Sequence, residues 1–180
     1  MKIIDDFKCK SQCYYNRVDT MSILKVLIKD GSSAVVFYRL FQFFKMIGME
    51  IVGCLFLELN KLFNGCVIGR GAHFEGGFVL MHPIGVVINA GVKAGKNIVI
   101  ESGVVIGAAK NGIPVEVPSL GDNIFIGTGA KVLGNIHVGN NVKIGANAVV
   151  VKDVPDGATV VGIPARVVKI DNNDQSSPKV

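Results

Sequence analysis

"LGDNIFIGTGAKVLGNIHVGNNVKIGANAVVVKDV", residues 120–154, repeats itself every six positions. Leu120, Ile126, Val132, Val138, Ile144 and Val150 lead the hexapeptides, and Ile124, Ala130, Ile136, Val142, Ala148 and Val154 follow four positions later. Gly comes directly after the lead residue at 121, 127, 139 and 145. A period of six is a multiple of the strand repeat of two but not of the helical 3.6, so a helix would scatter these residues around its surface. Short strands joined by sharp corners put both aliphatic positions inside, and Gly and Asn take the corner conformations that β-branched residues resist. Coils of this kind stack by parallel hydrogen bonding at about 4.8 Å and enclose an aliphatic core.

Working outward, the same beat runs earlier through Ile68, Phe74 and Leu80, then through Ile88, Ala94, Ile100 and Ile106. Between Leu80 and Ile88 the register slips by two, in the stretch "LMHPIGVVI", and at the slip stands His82. A loop that bulges from a solenoid exposes a polar side chain without disturbing the core. His73 and His137 occupy the last positions of hexapeptides, where solvent-facing structural roles are expected.

Three zones follow. Residues 1–64 have helix-like apolar periodicity and little Gly, residues 65–168 form the Gly-, Val- and Ile-rich repeat zone, and residues 169–180 read as a polar, flexible tail. A hydrophobic content of 49% with only 18% charged residues excludes a disordered chain. The net charge of +5 comes from scattered basic residues, which suits a small polyanionic ligand and argues against nucleic acid. Cys9, Cys13, Cys54 and Cys66 form neither a disulfide framework nor a finger-like metal set, and three isolated histidines argue against zinc. No metal and reduced thiols are therefore expected. The acidic start "MKIIDDFKCK" and the charged interruptions at Arg39, Lys45, Glu50, Glu58 and Lys61 point to a cytoplasmic chain with no spanning helix. Phe37, Phe41, Phe44, Phe56 and Phe63 should pack against the first coils, with a peripheral membrane contact as a secondary use of the same region.

The stretch "IGTGAKVLGNIHVGNNVKIGANAVVVKDVPDGATVVGIPARVV" (126–168) resembles the hexapeptide-repeat acyltransferases, and within them the serine acetyltransferase branch. The likeness starts near "YRLFQFFKMIG" (38–48) and runs to Arg166. It implies a mainly β fold, a left-handed parallel β-helix of hexapeptide repeats with a short N-terminal α-helical region. It also implies acetyl-CoA as co-substrate and a homotrimer with active sites between subunits. Carried over residue by residue, the catalytic base is His82. The CoA-binding candidates are Gly107 near the thioester, Thr128 and Ala146 where small side chains admit the pantetheine, and Lys143 and Arg166 for the phosphates.

The likeness is broken at three places. The family's Asp before the catalytic His is Met81 here, a His of its long loop falls on Val117, and an acidic partner of the base falls on Val67. The loop 108–119 keeps its place without those ligands. A zwitterionic amino acid needs paired charges to be held, which Met and Val do not supply. The expected acceptor is therefore a hydroxyl of a saccharide or polysaccharide precursor. Two other readings stay open at this level: a serine O-acetyltransferase of cysteine biosynthesis, and a catalytically silent β-helix scaffold.

Overall fold

The computed structural model describes residues 2–110 and 115–171. Four helices come first: α1 (Lys2–Tyr15), α2 (Thr20–Leu27), α3 (Ser32–Met46) and α4 (Glu50–Asn64). Asp19 caps α2 through a reciprocal pair with Ser22, whose amide donates to Asp19 Oδ1 at 2.8 Å while the Asp19 amide donates to Ser22 Oγ at 3.0 Å. Gly65, in the left-handed region at φ 60°, ends α4 and turns the chain into the repeats.

The repeats wind coil by coil. The first coil holds β1 (Val67–Ile68), β2 (His73–Phe74) and β3 (Phe78–Leu80); the second β4 (Val87–Ile88), β5 (Lys93–Ala94) and β6 (Ile98–Ile100). The third holds β7 (Val105–Gly107), β8 (Ser119–Leu120) and β9 (Ile124–Ile126); the fourth β10 (Lys131–Leu133), β11 (His137–Val138) and β12 (Lys143–Ile144). The last has β13 (Val149–Val150), an isolated bridge from Val138 to Val154, and β14 (Ala158–Val161), followed by β15 (Arg166–Ile170). Strands stack in parallel into three faces, β1-β4-β7-β10-β13, β2-β5-β8-β11 and β3-β6-β9-β12-β14, so this is a parallel β-helix. Every lead residue of the hexapeptides is buried, and so is every fifth residue from Ile124 to Val154.

Register explains the irregularities. Val67 pairs with Val87, Val87 with Val105, Val105 with Lys131 and Lys131 with Val149, so successive coils take 20, 18, 26 and 18 residues. The surplus two residues fall in the turn after β3, which carries His82. The surplus eight fall between β7 and β8, of which residues 111–114 lie outside those described. One corner is built on an asparagine ladder. Asn97, Asn123 and Asn141 all sit at φ 57°, and their side chains bond successively at 2.9 and 3.0 Å.

The helices close the solenoid. Ala34, Val35, Tyr38 and Phe41 of α3 and Leu57 of α4 join the same apolar cluster as Ile68, Phe74 and Leu80. Tyr38 sets its ring edge-on to Phe74 and Phe78, with centroids 6.1 and 5.4 Å away, and its hydroxyl donates to the Ala72 carbonyl at 2.9 Å. Of the phenylalanines expected to pack on the coils, Phe41 does so. Phe44 stacks on Phe56 at 5.4 Å within the α3–α4 pair, and Phe63 is exposed. Among the described residues no helix is long and apolar enough to cross a membrane.

Lys169 and Ile170, expected to belong to the tail, lie in a strand. β15 runs antiparallel to β14 through Ile170, with Val161 opposite Arg166 and Ala158 opposite Ile170. This return strand covers the otherwise open edge of β14, which is the physical reason the order persists. Residues 172–180 lie outside those described.

Candidate active site

His82 stands on the two-residue bulge between β3 and β4, with half of its side chain exposed (53%). The Val86 amide closes the turn on the Pro83 carbonyl at 3.1 Å, and the Gly103 amide reaches the Ile84 carbonyl at 3.0 Å. That second bond belongs to a corner ladder. Gly129 N donates to Ser102 O and Asn147 N to Thr128 O, both at 2.8 Å. The His82 loop, Thr128 and Ala146 therefore share one edge of the prism. The turn after β14 continues it, because the Ala165 amide donates to the Val149 carbonyl at 2.8 Å and the Val149 amide to the Gly162 carbonyl at 3.0 Å.

Thr128, Ala146, Lys143 and Arg166 are all exposed. Lys143 lies on β12 just before the Ala146 corner, and Arg166 opens β15 just after the last corner. Gly107 is elsewhere: it ends β7 at the far side of the adjoining face, where a Cβ would come 3.3 Å from Asn89 Cβ. The other two histidines have polar partners of their own. His73 Nε2 is 3.1 Å from Glu75 Oε1 and His137 Nδ1 is 3.1 Å from Ser119 Oγ.

His82 opens into a pocket of about 410 Å³ walled by Ile28, Asp30, Phe63, Asn64 and Ile84. Its Nδ1 is 3.3 Å from Asp30 Oδ2, a carboxylate supplied by the turn between α2 and α3. Lys29 lines the same pocket, so both signs of charge are present there. Below the turn lies Lys10 of α1, whose buried Nζ donates to the carbonyl of Asp30, to Ser32 Oγ at 2.9 Å and to the Leu80 carbonyl at 3.1 Å. Burial pulls the Lys10 ammonium down to about 8 from its ordinary 10.5, with Asp30 pulling the other way.

Asp30 and Lys10 escaped the sequence reading. "KDG" at 29–31 reads as an ordinary turn with solvated charges, and fifty-odd residues separate Asp30 from His82. Of the three broken family positions, Met81 is nearly buried (7%) beneath α1 beside Val79 and Val99, in contact with Cys9, Cys13 and Tyr14. Val67 is partly exposed on β1, and Val117 packs against Gly91 at another corner.

Comparison with known proteins decides the family. The bacterial transferase hexapeptide family (six repeats) matches residues 118–152. A solved serine acetyltransferase from Neisseria gonorrhoeae superposes with a TM-score of 0.83 over 96% of this chain and 70% of its own, at 30% identity. The chain belongs to the hexapeptide-repeat transferases. Within that family it is also similar to the serine acetyltransferase of Synechococcus elongatus, at 37% identity over 84% of this chain and 64% of the relative. A serine acetyltransferase of Brucella abortus solved in complex with coenzyme A superposes with a TM-score of 0.85 over 95% of this chain, at 27% identity. The hexapeptide-repeat transferase described here spans 54–64% of the length of the first curated relatives it matches. Its parallel coils are those of the left-handed β-helix of its family.

These relatives correct one expectation. A saccharide acceptor is expected from the loss of charge at Met81 and Val117, yet the relatives that this chain matches are serine acetyltransferases. The inference failed for a physical reason. Met81 packs beneath α1 and does not line the pocket, so its apolar character reports packing.

Proposed function

We propose that this chain is an acetyl-CoA-dependent O-acetyltransferase whose acceptor is the hydroxyl of L-serine, acting as a homotrimer with His82 as general base. The observation that carries the reading is the match of nearly the whole chain to serine acetyltransferases, with His82 on the single two-residue bulge between its first two coils. The pocket beside His82 adds support, since Lys29 in its wall offers the cation that the carboxylate of an amino acid needs.

The chemistry is acyl transfer to an alcohol. The serine hydroxyl passes its proton to the free imidazole nitrogen of His82, and its oxygen forms a bond to the thioester carbonyl carbon. The carbon–sulfur bond then breaks, and the imidazolium returns the proton to the departing thiolate, leaving O-acetylserine and CoA. Thr128 and Ala146 leave room along the edge for pantetheine, and Lys143 and Arg166 meet the phosphates.

The test is release of CoA thiol from acetyl-CoA with L-serine, with free sugars as controls. His82→Ala is expected to lower kcat by about 10²- to 10⁴-fold while CoA affinity holds, because a base acts in the chemical step. No turnover with serine in the parent protein, or near-full turnover in the alanine variant, refutes the proposal.

A further inference from the structure

The turn that brings Asp30 to His82 is held by more contacts than a surface turn needs. Gly31 lies against the end of β3 so closely that a Cβ would fall 2.1 Å from the Leu80 carbonyl oxygen, at a positive φ of 75°. Only glycine satisfies both conditions. Lys10 then binds the two sides together, since its ammonium donates both to the carbonyl of Asp30 and to that of Leu80, two residues before His82. Ser32 completes the arrangement by accepting from Lys10 Nζ at 2.9 Å and donating to the Val26 carbonyl at 2.5 Å. A buried ammonium is costly unless its donors are satisfied, and here all three bonds go to the segments flanking the His82–Asp30 pair.

We infer that Asp30 is the positioning residue for the His82 base, accepting from Nδ1–H, and that Lys10 and Gly31 form the clamp that fixes the two chain segments at that separation. A carboxylate on one ring nitrogen selects the tautomer that leaves the other nitrogen free, which the proton transfer proposed above requires. The inference rests on His82 acting as base. It supplies this chain with an orienting carboxylate from the helical region, where the family position falls on Val67. Asp30 is largely exposed (74%), so its carboxylate can be altered without opening the core.

The experiment labels histidine with ¹⁵N in the whole 180-residue chain, which contains three. Parent, Asp30→Asn, Asp30→Ala and Lys10→Met are compared by tautomer-resolving NMR and by steady-state kinetics with acetyl-CoA and L-serine. In the parent, neutral His82 should carry its proton on Nδ1. Asp30→Ala and Asp30→Asn should shift the population toward the Nε2–H form and lower kcat about 10-fold or more, with KM for acetyl-CoA within about twofold. Asp30→Glu should recover part of both. Lys10→Met should move the tautomer in the same direction, and Asp30→Asn keeps the test decisive if that variant does not fold. An unchanged tautomer in the Asp30 variants overturns the inference. So does a change confined to KM for serine, which would make Asp30 an acceptor ligand. A parent inactive on serine whose tautomer still depends on Asp30 refutes the acceptor reading alone.

Discussion

At Cys66 the chain passes from the helices into the first coil, and the consequences of burying one titratable atom can be followed there. The side chain is fully buried, its thiol donates to Asn60 Oδ1 at 3.3 Å, and burial pushes the thiol up to about 12 from 9.0. An acid whose folded value lies above its unfolded one holds its proton more tightly in the native state. Its contribution is complete below about pH 9 and is lost as pH climbs from there toward 12. Between pH 8 and 10 this loss amounts to about 1–2 kcal/mol. Lys10 has the opposite sign, because a depressed ammonium adds stability as pH rises from about 8 toward 10.5. Comparing the parent with Cys66→Ala cancels the lysine. Urea midpoints at pH 8 and pH 10 should show the alanine variant losing less stability than the parent across that interval. Equal losses would mean that the thiol ionises as freely in the fold as outside it. At this scale the bulge that carries His82 is legible in the sequence, because a break in a strict period is visible, whereas the carboxylate beside it is not, because a turn Asp gains a neighbour 52 residues away only in the fold.

α1 shows what helical periodicity leaves out. Nothing in its charged sequence marks Asp6 and Lys10 as buried, yet both are. Asp6 faces Arg39 of α3, whose Nε and Nη2 donate to its two carboxylate oxygens at 2.7 and 2.9 Å, and the amides of Gly77 and Phe78 donate to Asp6 Oδ1 at 2.9 and 2.8 Å. Arg39 also donates to the carbonyls of Phe74 at 2.9 Å and Glu75 at 2.6 Å. One ion pair thus fastens α1, α3 and the corner after β2. Removing one member leaves the other charged and buried, so Asp6→Ala should cost about 3–5 kcal/mol in a urea melt. The double variant Asp6→Leu with Arg39→Met should cost less than either charge deletion alone, since no orphaned charge remains. Additive losses would show that the pair is not coupled. The strands were legible because each buries its own repeat. The helical region was legible only as helix, since its packing depends on pairs some thirty or seventy residues apart, which no local pattern records.

On the scale of the whole molecule, the edge that runs from His82 past Thr128 and Ala146 to the 162–165 turn is convex, as any corner of a three-faced prism must be. Thr128, Ala146, Lys143 and Arg166 are exposed along it. A long ligand laid on a convex edge buries one side only, whereas specific small-molecule sites enclose most of their ligand. A second copy of the chain supplies the missing wall if three prisms meet around a common axis, and each crevice then lies between neighbouring subunits. Assembly and CoA binding should therefore be linked. Light scattering at micromolar concentration should give a mass about three times 19.1 kDa. Dilution or mild denaturant that dissociates the assembly should abolish CoA binding in the same range, measured by calorimetry on one side and mass on the other. The linkage also runs in reverse, so added CoA should hold the trimer together at concentrations where the free protein dissociates. A monomer that binds CoA as tightly as the assembly would show that one prism edge suffices, and the between-subunit site would have to be abandoned.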